Sequence, residues 1–258
     1  MHATYLSQSV LDASEQPPTA EERRRLRRLS LFSGASETSI QDLLSRVAVV
    51  GVGRHQLAAR EGTTPQNLMV AISGRLALLT QVPGDQPVVI GIVGRDELVM
   101  PSVALAGAPY PLSARAVEDV RIALIPLAEL WSVAARDHGF ALELARLAGG
   151  EWQTLLALLK DYRLRSAPQR FAAYLVRLAH ESGRPQIGAA EVALADDRKT
   201  LASLLGMTPE NLSRTIAQFR ERGVVVSGRN VAIADLGTLA AFAGIETEAP
   251  QAPGEHPR

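Results

Sequence analysis

One glycine between two short helical patterns constrains this chain most. Gly206 lies within Leu201-Ala-Ser-Leu-Leu-Gly206-Met207-Thr208-Pro209-Glu210-Asn211-Leu212-Ser213-Arg214, where a helical run beginning at Arg198 stops and a longer one, ending near Gly223, starts. Thr208 offers a hydroxyl that accepts from the free N–H groups of a first helical turn, and Pro209 suits the first helical position. Leu212, Ile216 and Phe219 recur at i, i+4, i+7 and make one apolar face. Glu210, Ser213 and Arg214 fall on the opposite side, near the N-terminal end, the part of a recognition helix that meets base edges in the major groove. Short helix pairs around a glycine occur in many helical proteins. The polar trio opposite a clean apolar stripe selects a nucleic-acid-reading helix-turn-helix.

The 258 residues allow two modest domains, and 47% hydrophobic content allows a substantial core. Formal charge is balanced at zero, which argues against nucleic-acid binding until its distribution is considered. Arg198, Lys199, Arg214, Arg220, Arg222 and Arg229 stand against only Glu210 and Glu221 between Arg198 and Arg229, so the helix-turn-helix region is locally basic. There is no cysteine, which excludes disulfides, thiolate metal sites, cysteine nucleophiles and cysteine-ligated iron–sulfur clusters. No apolar run approaches the ~18 residues of a membrane span, so a soluble, cytoplasmic protein without a membrane partner is expected.

Residues 1–28 read as a flexible N-terminal tail, with Pro17-Pro18 and the arginines Arg23, Arg24, Arg25, Arg27 and Arg28. Those arginines read as a solvated helix face, or as a contact for nucleic acid or an acidic partner. Ser36 caps a short amphipathic helix carrying Ile40, Leu43, Leu44 and Val47. From Val49 to Leu127 the pattern changes to short strands, 49–52, 55–59, 68–72, 75–80, 87–92, 112–117 and 120–125, punctuated by Gly, Asp and Asn turns. That rhythm predicts an antiparallel β-sandwich or roll over 29–136. Gly94 to Tyr110 breaks it with a short helix-like piece, the place for an effector pocket lined by Glu97, Met100, Tyr110 and Leu112.

Leu127 to Tyr162 is strongly helical, and a long helix and hinge occupy 137–164. Ala141, Ala145, Ala148, Trp152, Leu155, Leu159 and Tyr162 alternate at spacings of four and three, a heptad seam that predicts a dimerisation helix. An amphipathic helix packed on its own domain is the plainer alternative. Gly149-Gly150 weakens its middle by roughly 1 kcal/mol per glycine and marks a place for a bend. Ser166 to Gln169 has the form of a capping box opening the next helix. A strand-like Glu191–Leu194, Asp196 as N-cap of the first helix of the pair, and two short strands from Gly223 to Ile233 complete a winged helix over 165–236. Residues 237–258 read as a C-terminal tail. The fold class is α+β: an N-terminal antiparallel β-roll, a long dimerisation helix, and a C-terminal winged helix-turn-helix.

Over residues 29 to 236 this order of parts resembles the cyclic-AMP receptor / fumarate–nitrate regulator (CRP/FNR) superfamily of bacterial transcription factors. The resemblance rests on Leu31-Phe32-Ser33-Gly34, Arg60-Glu61-Gly62, Ile72-Ser73-Gly74-Arg75-Leu76 and, most specifically, Leu201 to Arg214. Glu210, Ser213 and Arg214 match the Glu-x-x-Ser-Arg pattern of the fumarate–nitrate branch. That implies a homodimer on double-stranded DNA, a palindrome with TTGA-type half-sites, a cyclic-nucleotide-binding-like sensor domain, and RNA polymerase as a partner. The chemistry agrees: Arg bonds bidentately to guanine O6/N7, Glu accepts from cytosine N4, and Ser makes a smaller contact. Lys199, Thr208, Asn211 and Arg229 are expected on the DNA backbone, positioning the protein without reading sequence.

The departures from the family bear on the effector. Its cyclic-nucleotide binders carry Arg-Ser after the pocket helix, where alignment on Ala114-Arg115-Ala116 places Tyr110-Pro111. A buried phosphate there lacks its charge partner, so cyclic AMP is not expected. The iron–sulfur members use N-terminal cysteines, absent here. The cysteine-free group includes regulators that sense nitric oxide through haem, which makes haem b a cofactor reading, with His55, His138 and Met100 as iron-ligand candidates. For each histidine alone, a surface role is the simpler account. A winged helix that contacts a protein is a second functional class. An enzyme is not expected, because no nucleophile–base set, phosphate loop or metal cluster has convincing spacing.

Overall fold

Between Ala48 and Pro126 the short apolar runs pair into two antiparallel sheets in the computed structural model, which describes residues 15–183 and 187–245. The strands are β1 (Ala48–Val52), β2 (Leu57–Ala59), β3 (Asn67–Ser73), β4 (Leu76–Thr80), β5 (Val88–Val93), β6 (Glu97–Val99), β7 (Ser113–Ala116) and β8 (Val120–Pro126). One sheet has the order β1-β8-β3-β6 and the other β2-β7-β4-β5. Alternation along the first sheet separates two cores, because successive side chains leave a strand on opposite faces. Val50, Met69, Ala71, Ile122 and Leu124 point into the roll. Val49, Leu68, Val70, Ile72, Ala123 and Ile125 pack beneath helices. A sheet covered on both faces reads as near-continuous apolar sequence. At the β3–β4 turn Gly74 has φ +73, and a Cβ there would lie 2.5 Å from the Asp119 carbonyl oxygen, so the tight turn needs glycine. Strand β6 was not among the expected strands; at three residues it shows no period of its own.

The helices of this unit are α1 (Ala20–Leu26), α2 (Glu37–Arg46), α3 (Pro101–Ala106), α4 (Leu127–Ala134) and the first part of α5 (His138–Leu164). Ser36 caps α2 as expected, its hydroxyl accepting from the Ser39 N–H. The expected N-terminal tail is corrected over residues 15–28. Gln16 bridges to Val49, and α1 opens on a reciprocal Thr19/Glu22 capping box. Its Glu22 and Leu26 are buried, and Arg121 donates to Glu22 at 2.6 Å. Residues 1–14 of that tail lie outside the described residues.

The described residues form two compact units divided between Leu155 and Leu156. The second contains the end of α5, α6 (Ala167–Glu181), β9 (Ala190–Ala193), α7 (Arg198–Leu204), α8 (Pro209–Phe219), β10 (Val224–Ser227), β11 (Asn230–Ile233) and α9 (Leu236–Phe242). Its three strands pair in the order β10-β11-β9. Phe171, Leu175, Leu201, Leu212, Phe219 and Leu239 are buried in one cluster, with the Phe171 and Phe219 rings 5.1 Å apart. The Ser166/Gln169 pair opens α6, the Ser166 N–H donating to the Gln169 side chain at 2.9 Å. Two expectations are corrected here. The N-cap of α7 is Asp197, which accepts from the Lys199 and Thr200 N–H groups, while Asp196 is buried. The tail expected from 237 begins as α9, capped by Asp235, with Leu236, Leu239 and Ala240 in the core; residues 246–258 lie outside the described residues.

Candidate nucleic-acid interface

Helices α7 and α8 meet at Gly206, which has φ +62. The Thr208 hydroxyl accepts from the Asn211 N–H at 3.2 Å, and Pro209 takes the first helical position, so α8 starts where its local chemistry dictates. Leu212, Ile216 and Phe219 are buried, and Thr215 joins them by donating its hydroxyl to the Asn211 carbonyl at 2.9 Å. Burying three such side chains contributes on the order of 1.5–3 kcal/mol each. Their burial leaves Glu210, Ser213 and Arg214 together on the exposed side.

Electrostatics on that face are set locally. The Glu210 backbone N–H and then the Thr208 hydroxyl hold the Glu210 carboxyl below its ordinary range, and Arg214 adds to the effect. Glu210 is therefore an anionic acceptor at neutral pH. The Arg214 guanidinium donates to the Asn211 amide oxygen, which orients it along the helix. Asn211, expected on the DNA backbone, thus orients Arg214. Thr208 is committed as a cap. Arg229 lies at the β10–β11 turn and donates to the Ala195 carbonyl at 3.1 Å, and Lys199 is exposed in the first turn of α7.

Sequence reasoning missed the group that holds the turn between α7 and α8. The Tyr162 hydroxyl, at the end of α5, donates to the Leu204 carbonyl at 3.1 Å. Arg170 of α6 donates to the Leu205 carbonyl at 2.8 Å and lies over the Tyr162 ring, 4.9 Å from its centre. These are the carbonyls that a helix C-terminus leaves unpaired. Gly206 completes the fit, because a Cβ there would be 2.6 Å from Tyr162 Cε1. No local pattern signals these contacts, because Tyr162 and Leu204 stand 42 residues apart and Arg170 and Leu205 stand 35 apart.

Along α5 two stripes diverge. Phe140 and Leu144 are buried against the first unit, and Leu147 is partly so. On the expected seam Ala145 and Ala148 are accessible, while Trp152, Leu155 and Leu159 are 62%, 52% and 56% exposed. The helix continues through Gly149-Gly150 without interruption. Tyr162 differs from the rest of the seam in being tied to its own chain.

The structure gathers Met100, Tyr110 and Leu112 of the expected effector pocket at the apolar interior of the roll, with Val99 and Ala114. Glu97 is corrected: it is exposed, and its carboxylate accepts from the Gly94 N–H at 2.7 Å, closing the β5–β6 turn. Burial pushes the Tyr110 phenol up to about 12. Glu151 of α5 accepts from the Ser102 N–H at 2.7 Å, which ties α3 to α5. His55 is exposed at the β1–β2 turn with φ +70, and His138 is exposed as the first residue of α5. Neither histidine lies in the roll interior, and that interior does not fit haem ligation by either.

Together these features define a regulator built from a cyclic-nucleotide-binding-type roll and a winged helix. Residues 50–137 match the family model described as a cyclic nucleotide-binding domain, and residues 169–242 match the Crp-like helix-turn-helix domain. The chain is 24% identical to the CRP-like cAMP-activated global transcriptional regulator of Mycobacterium tuberculosis, over 83% of this chain and 96% of the relative. It is 26% identical to the transcriptional activator protein anr of Pseudomonas aeruginosa, over 81% of this chain and 88% of that protein. Among solved structures, FixK2 from Bradyrhizobium japonicum shares the fold, with a TM-score of 0.66 at 17% identity over 79% of this chain and 99% of that one. The chain belongs to the CRP/FNR family of DNA-binding transcription regulators. Among the described residues no helix is long and apolar enough to cross a membrane.

Proposed function

We propose that this regulator acts as a homodimer on a palindrome with TTGA-type half-sites, reading bases through Glu210, Ser213 and Arg214. The observation that carries this reading is the joint exposure of those three side chains on a helix whose opposite face is buried. Two such helices about one DNA turn apart, ~34 Å, require a two-fold dimer. The exposed stripe of Trp152, Leu155 and Leu159 supplies its surface, since contiguous apolar area of this kind marks an interaction site. Lys199 and Arg229 serve phosphate contact, and RNA polymerase is the partner of the DNA-bound dimer.

The effector acts at the roll and is not cyclic AMP. Neutral, buried Tyr110 supports this, because a cyclic phosphate needs a cation where it stands. Coupling runs through the Ser102–Glu151 contact, with the effector binding one arrangement of α5 more tightly than another.

The test is DNA binding by fluorescence anisotropy with Arg214→Ala. A loss of about 1–3 kcal/mol in specific binding, with an unchanged melting temperature, is expected. Undiminished affinity for a TTGA-type palindrome would sink the recognition model. Sedimentation of Leu155→Glu/Leu159→Glu tests the dimer, and a wild-type-like mass would count against it.

A further inference from the structure

The arginine-rich stretch ahead of the first strand lies outside the helix-turn-helix, and the fold brings its arginines to a second segment. Arg24, Arg25 and Arg28, on and just beyond α1, meet Arg95 and Asp96 of the β5–β6 turn around a cavity of about 540 Å³, which Glu21 and Leu29 complete. We propose that this cavity binds a small anion carrying two or more phosphate groups.

Convergence separates this cluster from a solvated helix face: its cations come from two elements far apart in sequence and open on one space. The arrangement is held in place. The capping box fixes the start of α1, Arg121 donates to Glu22 at 2.6 Å, and Arg25 donates to Asp96 at 2.6 Å. Asp96 sits in the left-handed region at φ +66, where the turn aims its carboxylate at α1. Charge within the cavity is unbalanced, with four guanidinium groups against the carboxylates of Glu21 and Asp96. Asp96 is engaged by Arg25 and, at 3.9 Å, by Arg95. Among the described residues the Arg24 and Arg28 side chains have no hydrogen-bond or ion-pair partner.

Guanidinium groups present a planar fork that matches phosphate oxygens two at a time, and like charges gathered in one cavity repel until an anion enters. The cavity's cations come from two walls, α1 with its following turn and the β5–β6 turn, an arrangement that suits a chain of phosphates over a single one. Among the described residues no aromatic side chain lines the cavity. The guanidinium forks recognise the phosphates, whether free or attached to a nucleoside.

Calorimetry on the full chain at low ionic strength tests this with inorganic tripolyphosphate, pyrophosphate, sulfate and a nucleoside triphosphate. One saturable site per chain is expected for tripolyphosphate, at least about tenfold weaker in Arg24→Ala/Arg28→Ala and at least about tenfold weaker for sulfate. Arg46→Ala, at the exposed end of α2, should bind as wild type does, and the melting temperatures should match. Equal affinity for tripolyphosphate and the nucleoside triphosphate assigns recognition to the phosphates alone, and tighter binding of the latter identifies a nucleotide source. Absence of saturable heat, equal binding by the double variant, or sulfate binding as well as tripolyphosphate would each overturn the proposal. So would a loss of duplex DNA affinity in the double variant without any polyphosphate binding, which would make the arginines part of the nucleic-acid surface.

Discussion

The carbonyl oxygen of Gly34 lies only 2.0 Å from where a Cβ on Gly139 would be. Two glycines more than a hundred residues apart therefore set how closely the start of α5 packs on the turn before α2. Asp137 reinforces the same junction, accepting from the Ser36 N–H at 2.9 Å and the Phe140 N–H at 3.0 Å.

Gly139→Ala should destabilise the first unit by about 1–3 kcal/mol, because the added methyl meets backbone and cannot be relieved by a rotamer change. Chemical denaturation checks this, and a value within experimental scatter of wild type would show that the junction yields easily.

The same junction should be acid-sensitive. The Ser39 hydroxyl and then the Ser36 and Phe140 N–H groups hold the Asp137 carboxyl well below the usual carboxylate range. A carboxyl whose value is lower folded than unfolded contributes fully above the unfolded value, about 3.9, and loses that contribution as pH falls through the folded one. Asp137→Asn should be less stable than wild type at pH 7, with the gap closing below about pH 4. Melting curves across that range decide the matter; a gap independent of pH would assign Asp137 a purely steric role.

Gly206→Ala should impair folding of the second unit through both its φ of +62 and its clash with Tyr162. Tyr162→Ala in the same chain removes the clash and leaves the backbone strain, so the double variant should recover part of the loss. A double-mutant cycle measures the coupling, expected at 0.5–3 kcal/mol in roughly the range for residues in contact. Strict additivity would mean that the turn moves away from the ring.

Arg214→Lys retains the charge but removes the bidentate fork, and the Asn211 contact that orients it changes with it. Specific affinity should fall by about 1–3 kcal/mol at the guanine step, while nonspecific binding and its salt dependence stay near wild type. Parallel titrations on specific and scrambled duplexes check this; equal losses on both would reassign Arg214 to phosphate contact.

The recognition helix was legible in the sequence because its determinants are local. Thr208 caps within three residues, Leu212, Ile216 and Phe219 follow the helical repeat, and what remains exposed follows by subtraction. The strands of the roll were legible from their turns, although three-residue β6 was not. The helices α1 and α9 were hidden in apparent tails, since seven-residue segments show little periodicity. Their caps, Thr19 with Glu22 and Asp235, were the signals available.

Local spacing thus determined by itself where helices begin, which faces turn inward, and which three side chains of α8 remain exposed opposite its buried face. Only the tertiary structure decided what distant residues do together. It set Tyr162 and Arg170 on the free carbonyls of α7, took Glu97 out of the pocket, and drew Arg24 and Arg28 to Arg95. A hydrogen bond or a charge pair between distant segments leaves no period in the chain, because it depends on where folding brings each end.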